Sequence, residues 1–138
     1  MILFNNSIIK LEYNPANDIG VMVYPNLFAY QLPEIQNSID ILIGTVRNYD
    51  IKKLLFDSSS SKLTVGDKES EAIITYLVKG LQNTRVQKVA RLANPNISIE
   101  NHAQTKLNGL QAVGLIHFEL KNFTDKEQAL DWLMNKLK

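Results

Sequence analysis

Apolar and polar positions along this chain recur with two different periods, and each change of period marks an element. Over residues 7–13, Ile9, Leu11 and Tyr13 alternate with Ile8, Lys10 and Glu12. Over 19–24, Gly20, Met22 and Tyr24 oppose Ile19, Val21 and Val23. A two-residue period belongs to extended strands, whose successive side chains point to opposite faces. Asn14, Pro15, Asn17 and Asp18 between the two runs are turn formers, so the pair reads as an antiparallel hairpin with a loop longer than two residues. Residues 1–4 extend the first strand or pair separately.

The period then lengthens. Beyond Pro25 and Pro33, the residues Ile35, Ile39, Leu42, Ile43 and Val46 recur at helical spacing and predict a one-face amphipathic helix. Pro33 suits its first turn, where a missing N–H costs nothing. Leu54, Leu55 and Phe56 form a continuous apolar run that stops at Asp57. It is too short and too uniform for a half-exposed strand and reads as a central one. After an extended piece at 63–65, Gly66 and Asp67 open a second helix, with Asp67 as N-cap and Ile73, Tyr76, Leu77 and Leu81 inward.

Residues 86–92 repeat the short-strand pattern, with Val89, Ala90 and Leu92 apolar, and Asn94, Pro95 and Asn96 turn the chain. Ser98 is expected to cap a third helix that buries Ile99, Ala103, Leu107 and Leu110, with Gly109 and Gly114 flanking its end. Residues 115–120 read as the last strand, with Ile116, Phe118 and Leu120 on one side and His117 and Glu119 on the other. Thr124 and Glu127 match a capping box, opening a helix on Ala129, Leu133 and Leu137 with Trp132 nearby. The order is β-β-α-β-α-β-α-β-α. It predicts an α/β fold, an N-terminal hairpin followed by alternating strands and helices, with a mostly parallel five-stranded sheet and four helices in one domain spanning 1–138.

Composition narrows the chemistry by exclusion. With Lys+Arg 15 against Asp+Glu 14, the net charge of +1 leaves no basic excess for nucleic acid. The absence of cysteine removes disulfides, thiol nucleophiles and Cys-ligated zinc. No run approaches the ~20 apolar residues of a membrane span, and the N-terminal residues lack the basic region of a signal peptide. A cytoplasmic location is therefore expected, and the sequons at Asn5, Asn96 and Asn122 are read as chance matches.

Catalytic motifs are absent as well. No Gly-x-Ser-x-Gly elbow presents a serine, and His102 and His117 lack local partners and read as surface or half-buried side chains. The 6 glycines do not cluster into a phosphate loop, and the carboxylates are scattered, so no metal or cofactor site is expected. One polar constellation remains, Asp57, Ser58, Ser59, Ser60, Ser61 and Lys62, which would lie outside the carboxyl end of the central strand, where parallel sheets bind ligands. Three roles compete for it: capping of turns and of the next helix, phosphorylation that alters docking, or binding of a small anion or polar ligand beside Lys62. The segment 25–33 carries Leu27, Phe28, Tyr30 and Leu32 between two prolines, either folded over the core or exposed as a partner or apolar-ligand surface.

From about Ile51 onward the succession of elements resembles the STAS fold of sulfate transporters and anti-sigma factor antagonists. It is closer still to small stand-alone STAS-like proteins related to the CRAL-TRIO lipid-binding fold. The resemblance rests on the strand ending in Asp57, the polar turn at 58–65, the helix over 67–81, the Lys88-Val89-Ala90 strand, and Phe123 before a helix containing Ala129, Leu130, Trp132 and Leu133. It implies a non-enzymatic regulatory or binding domain acting through a protein partner, a homodimer or a small ligand, with no cofactor. The alternative it implies is a carrier of an apolar ligand or lipid, with a cavity behind residues 27–32. In anti-sigma factor antagonists the regulatory serine opens the next helix. Gly66, Asp67 and Lys68 hold that place here, so the candidate partner or ligand surface runs from Asp57 to Lys68 without that serine.

Overall fold

The computed structural model describes residues 2–5, 8–23, 32–59 and 67–135. Ten elements follow in order: β1 (Ile2–Asn5), β2 (Lys10–Asn14), β3 (Ile19–Val23), α1 (Leu32–Asn48), β4 (Lys53–Asp57), α2 (Asp67–Leu81), β5 (Lys88–Leu92), α3 (Ile97–Ala112), β6 (Glu119–Phe123) and α4 (Lys126–Leu133). The strands form one six-stranded sheet in sequential order, β1-β2-β3-β4-β5-β6. Its first two pairings are antiparallel and the next three parallel. The expected five strands become six because residues 2–5 pair separately, through a register shift between Ile2 and Phe4.

The two faces of the sheet bury different helices, and the strand period decides which residue serves which. Leu11, Met22, Leu54, Phe56 and Val89 join the inward residues of α1 and α2 in one core. Ile19, Leu55, Ala90, Leu92 and Phe123 belong to a second core, on the other face, with Ala129 and Leu133 of α4. The apolar stripe of α1 is as its spacing predicts, with Ile35, Ile39, Leu42, Ile43 and Val46 all buried. In α2, Tyr76 leaves the stripe. Its side chain is exposed and donates a hydroxyl hydrogen bond to the Asp40 carboxylate of α1, while Ile74 and Val78 turn inward instead.

The helix ends correct three sequence expectations. Ser98 lies inside the first turn of α3, and Asn96 is the N-cap, its side chain accepting from the Ile99 amide. Asp125 in place of Thr124 caps α4, accepting from the Glu127 amide. The last strand starts at Glu119 because residues 113–115 close α3. Gly114, at φ +78, donates to the Gln111 carbonyl, and the Leu115 amide donates to the Leu110 carbonyl. That left-handed residue with its pair of return bonds is a Schellman closure. Asn96→Ala is expected to destabilise the protein by about 1 kcal/mol and Ser98→Ala by only a few tenths, as read from urea midpoints. Equal effects would return the cap to Ser98.

Tyr24, the segment 25–31, the extended piece at 63–65 and Leu137 lie outside the described residues. Among the described residues no helix is long and apolar enough to cross a membrane.

Candidate functional site

The carboxyl ends of β4 and β5 lie side by side, Asp57 in register with Leu92, and the loops that leave them are tied together. The Ser58 hydroxyl donates to the Leu92 carbonyl. Asn94 Nδ2 donates back to the Ser58 carbonyl at 2.9 Å. Asp57 accepts from both the amide and the hydroxyl of Ser59, which holds the turn beyond β4. The serine that follows the strand is thus buried structure, 6% exposed, whereas Ser59 is exposed.

These bonds sort the sequence-derived site residues. Asp57, Ser58 and Ser59 stand together at the end of β4. Lys68 is exposed on the first turn of α2, whose backbone begins at Asp67. Ser60, Ser61, Lys62 and Gly66 lie outside the described residues.

Beside the strand ends, Arg91 lies on β5 in register between Phe56 and Asn122, on the side of α2 and α3. Arg91 is only 8% exposed, and a guanidinium so placed must be paired to remain in a core. Its partner is Glu100, in the first turn of α3. Nη1 donates to Glu100 Oε2 at 2.7 Å and Nη2 to Oε1 at 2.9 Å, a two-pronged pair. Asn122 Oδ1 accepts a further bond from Nη1 at 3.3 Å, and the Asn94 amide donates to Glu100 at 2.8 Å. Burial pushes the Glu100 carboxyl up, but the bonds from Arg91 and the Asn94 amide, with the charge of Arg91, outweigh it and hold the pKa below its ordinary value. The start of α3 is therefore anchored to the carboxyl end of β5.

Behind this anchor, α2 and α3 roof a cavity of about 70 Å³ over β4, β5 and the approach to β6. Its walls are mainly apolar, with Ile74, Leu77 and Val78 from α2, Leu107 from α3, Val89 and Phe118. Ser58, Ser70, Arg91, Asn94 and His102 supply the polar lining. His102 is half-buried, and its Nε2 is buried with no hydrogen-bond partner among the described residues. His117, the other histidine, is exposed. Among the described residues no group of three or more His, Asp or Glu side chains is placed to hold a metal ion.

Of these lining groups the sequence pointed to Ser58 and to the apolar positions Leu77, Val89, Leu107 and Phe118, and not to Ile74 or Val78. Arg91 and Glu100 carried one available signal. A charged residue inside the apolar run at 89–92 is costly unless a carboxylate reaches it, and Glu100 is the first acid that follows. His102 carried none, since its spacing from Ile99 and Ala103 fits any helix face.

No protein-family model, curated protein or solved structure matches this chain.

Proposed function

We propose that this chain is a STAS-like binding domain that acts without chemical turnover, taking a small ligand between α2, α3 and the sheet. One observation carries the reading: a largely apolar cavity with a hydrogen-bonded polar lining lies next to the carboxyl ends of β4 and β5. Polar groups few in number and convergent on an apolar chamber are what small-molecule sites are built from. The STAS-like assignment draws support from the antiparallel start followed by successive parallel strand–helix units. The sixth strand departs from the expected five-stranded sheet, while three of the five strand pairings are parallel.

The exposed turn at Ser59 and the first turn of α2 at Lys68 flank the same strand end, and a protein partner would meet the domain there. A carrier of apolar molecules is the second reading, favoured by the apolar walls. The cavity behind residues 27–32 that the likeness called for falls on a segment outside the described residues.

Native mass spectrometry of freshly purified protein separates these readings. A retained or exchangeable adduct of small-metabolite mass, lost in Val78→Trp, is expected for the binding domain. An adduct of phospholipid mass would favour the carrier. A bare mass that gains nothing from a small-molecule library, or turnover in an esterase and phosphatase panel, would overturn the proposal.

A further inference from the structure

Three properties of the cavity restrict its ligand, granted that the cavity binds one. The first is size. A single water needs roughly 10–15 Å³ of such space, so about 70 Å³ accommodates a body of a few water-sized groups, comparable to one six-membered ring. Long acyl chains and sterols exceed it.

The second is charge. Among the described lining residues Arg91 is the only arginine or lysine, and both of its terminal nitrogens are already engaged by Glu100, with Asn122 adding a third bond. A ligand carboxylate or phosphate would have to displace Glu100 to pair with Arg91, which is strongly unfavourable. A ligand ammonium meets the same obstacle, since Glu100 is held by Arg91 and by the Asn94 amide.

The third is a vacant hydrogen bond. Among the described residues two buried side-chain nitrogens lack partners, Gln82 Nε2 and His102 Nε2, and only His102 lines the cavity. A neutral imidazole nitrogen can donate or accept, so either a hydroxyl or a carbonyl would satisfy it.

We infer that the cavity takes a small, uncharged, ring-sized apolar molecule carrying one hydroxyl or carbonyl oxygen, which pairs with His102 Nε2. Apolar walls from α2 and α3 hold the ring, and the imidazole separates an alcohol or ketone from a plain hydrocarbon. The inference rests on the proposed role of the cavity as a ligand site, and the probes below separate failure of one from failure of the other.

The experiment titrates uniformly labelled protein with phenol, toluene, benzamide and benzoate, following amide shifts of the lining residues by NMR. Phenol is expected to bind about tenfold more tightly than the near-isosteric toluene, the contrast of satisfying a buried polar group rather than leaving it unmade. Benzamide is expected to bind and benzoate not. In His102→Leu the preference for phenol should vanish while toluene binds at least as well. In His102→Gln, which keeps a hydrogen-bonding group, part of the preference should return. Toluene binding as tightly as phenol, or benzoate more tightly than benzamide, with both lost in Val78→Trp, would overturn the inference and leave the cavity a ligand site. A phenol preference that survives in His102→Leu would also overturn it. Binding of none of the four probes would overturn the inference and the ligand site together.

Discussion

Replacing Glu100 by alanine is expected to lower the stability of the domain by about 4 kcal/mol, because it leaves the Arg91 guanidinium buried without its counter-charge. For a chain of this length each kcal/mol corresponds to roughly 3–4 °C, so the melting temperature should fall by about 14 °C. The double variant Arg91→Met, Glu100→Leu should recover most of the loss, since apolar side chains of similar size do without the desolvation of two charges. A single variant with near wild-type stability would show that water reaches the guanidinium and that the anchor of α3 is elsewhere.

The same pair makes the stability depend on acid in a defined direction. The Glu100 carboxyl is held below its ordinary value of 4.5 in the fold, so the folded state favours the ionised form. Its contribution is therefore fully present above about pH 5, and it is lost as the pH falls through the lowered pKa. The difference in stability between wild type and Glu100→Gln should be constant from pH 7 to 5 and narrow below 4.5. A difference that widens on acidification would reverse the sign and exclude the pair as its source.

Leu54→Ala is expected to cost about 3 kcal/mol, near the middle of the range for a fully enclosed leucine. Leu54 is 0% exposed at the centre of the sheet, in register with Gly20 on one side and Val89 on the other. The contact with Gly20 is specific: a Cβ built there would come within 3.0 Å of Leu54 Cδ2 and 3.4 Å of Leu11 Cδ1. Leu54 thus occupies room that glycine leaves open, and the neighbouring strands cannot collapse into the gap that alanine creates. Gly20→Ala should destabilise the wild type yet be tolerated better in the Leu54→Ala background, where that methyl group is gone. Urea unfolding of the four proteins measures the coupling. Strictly additive effects would show that the two side chains do not compete for the same space.

The parts of this fold that were legible in the sequence are those decided by near neighbours along the chain. The stripe of α1 and the central character of β4 follow from spacing alone, because a helix or a strand presents its faces with a fixed period. Tyr76 misled that reading, since its ring fits an apolar stripe while its hydroxyl finds Asp40 on another helix. The caps misled it by a residue or two, because Asn96 and Asp125 are as good capping residues as Ser98 and Thr124 and only the path of the incoming chain selects between them.

The polar stretch after β4, which the sequence singled out for its serines, illustrates the division. Its place at the end of a buried strand was determined locally by the apolar run and its abrupt end at Asp57. That Ser58 turns inward to bond Leu92 and Asn94 was decided by the parallel pairing of β4 with β5. The pairing of β5 with β6 put Arg91 beside Asn122, and the packing of α3 brought Glu100 within reach of Arg91 and His102 over a cavity walled by α2. Hydrophobic period acts within one element, so the order of residues determines elements and their inward faces. A cavity and its ion pair exist only between elements, and their geometry comes from the strand register and the packing of helices across the sheet.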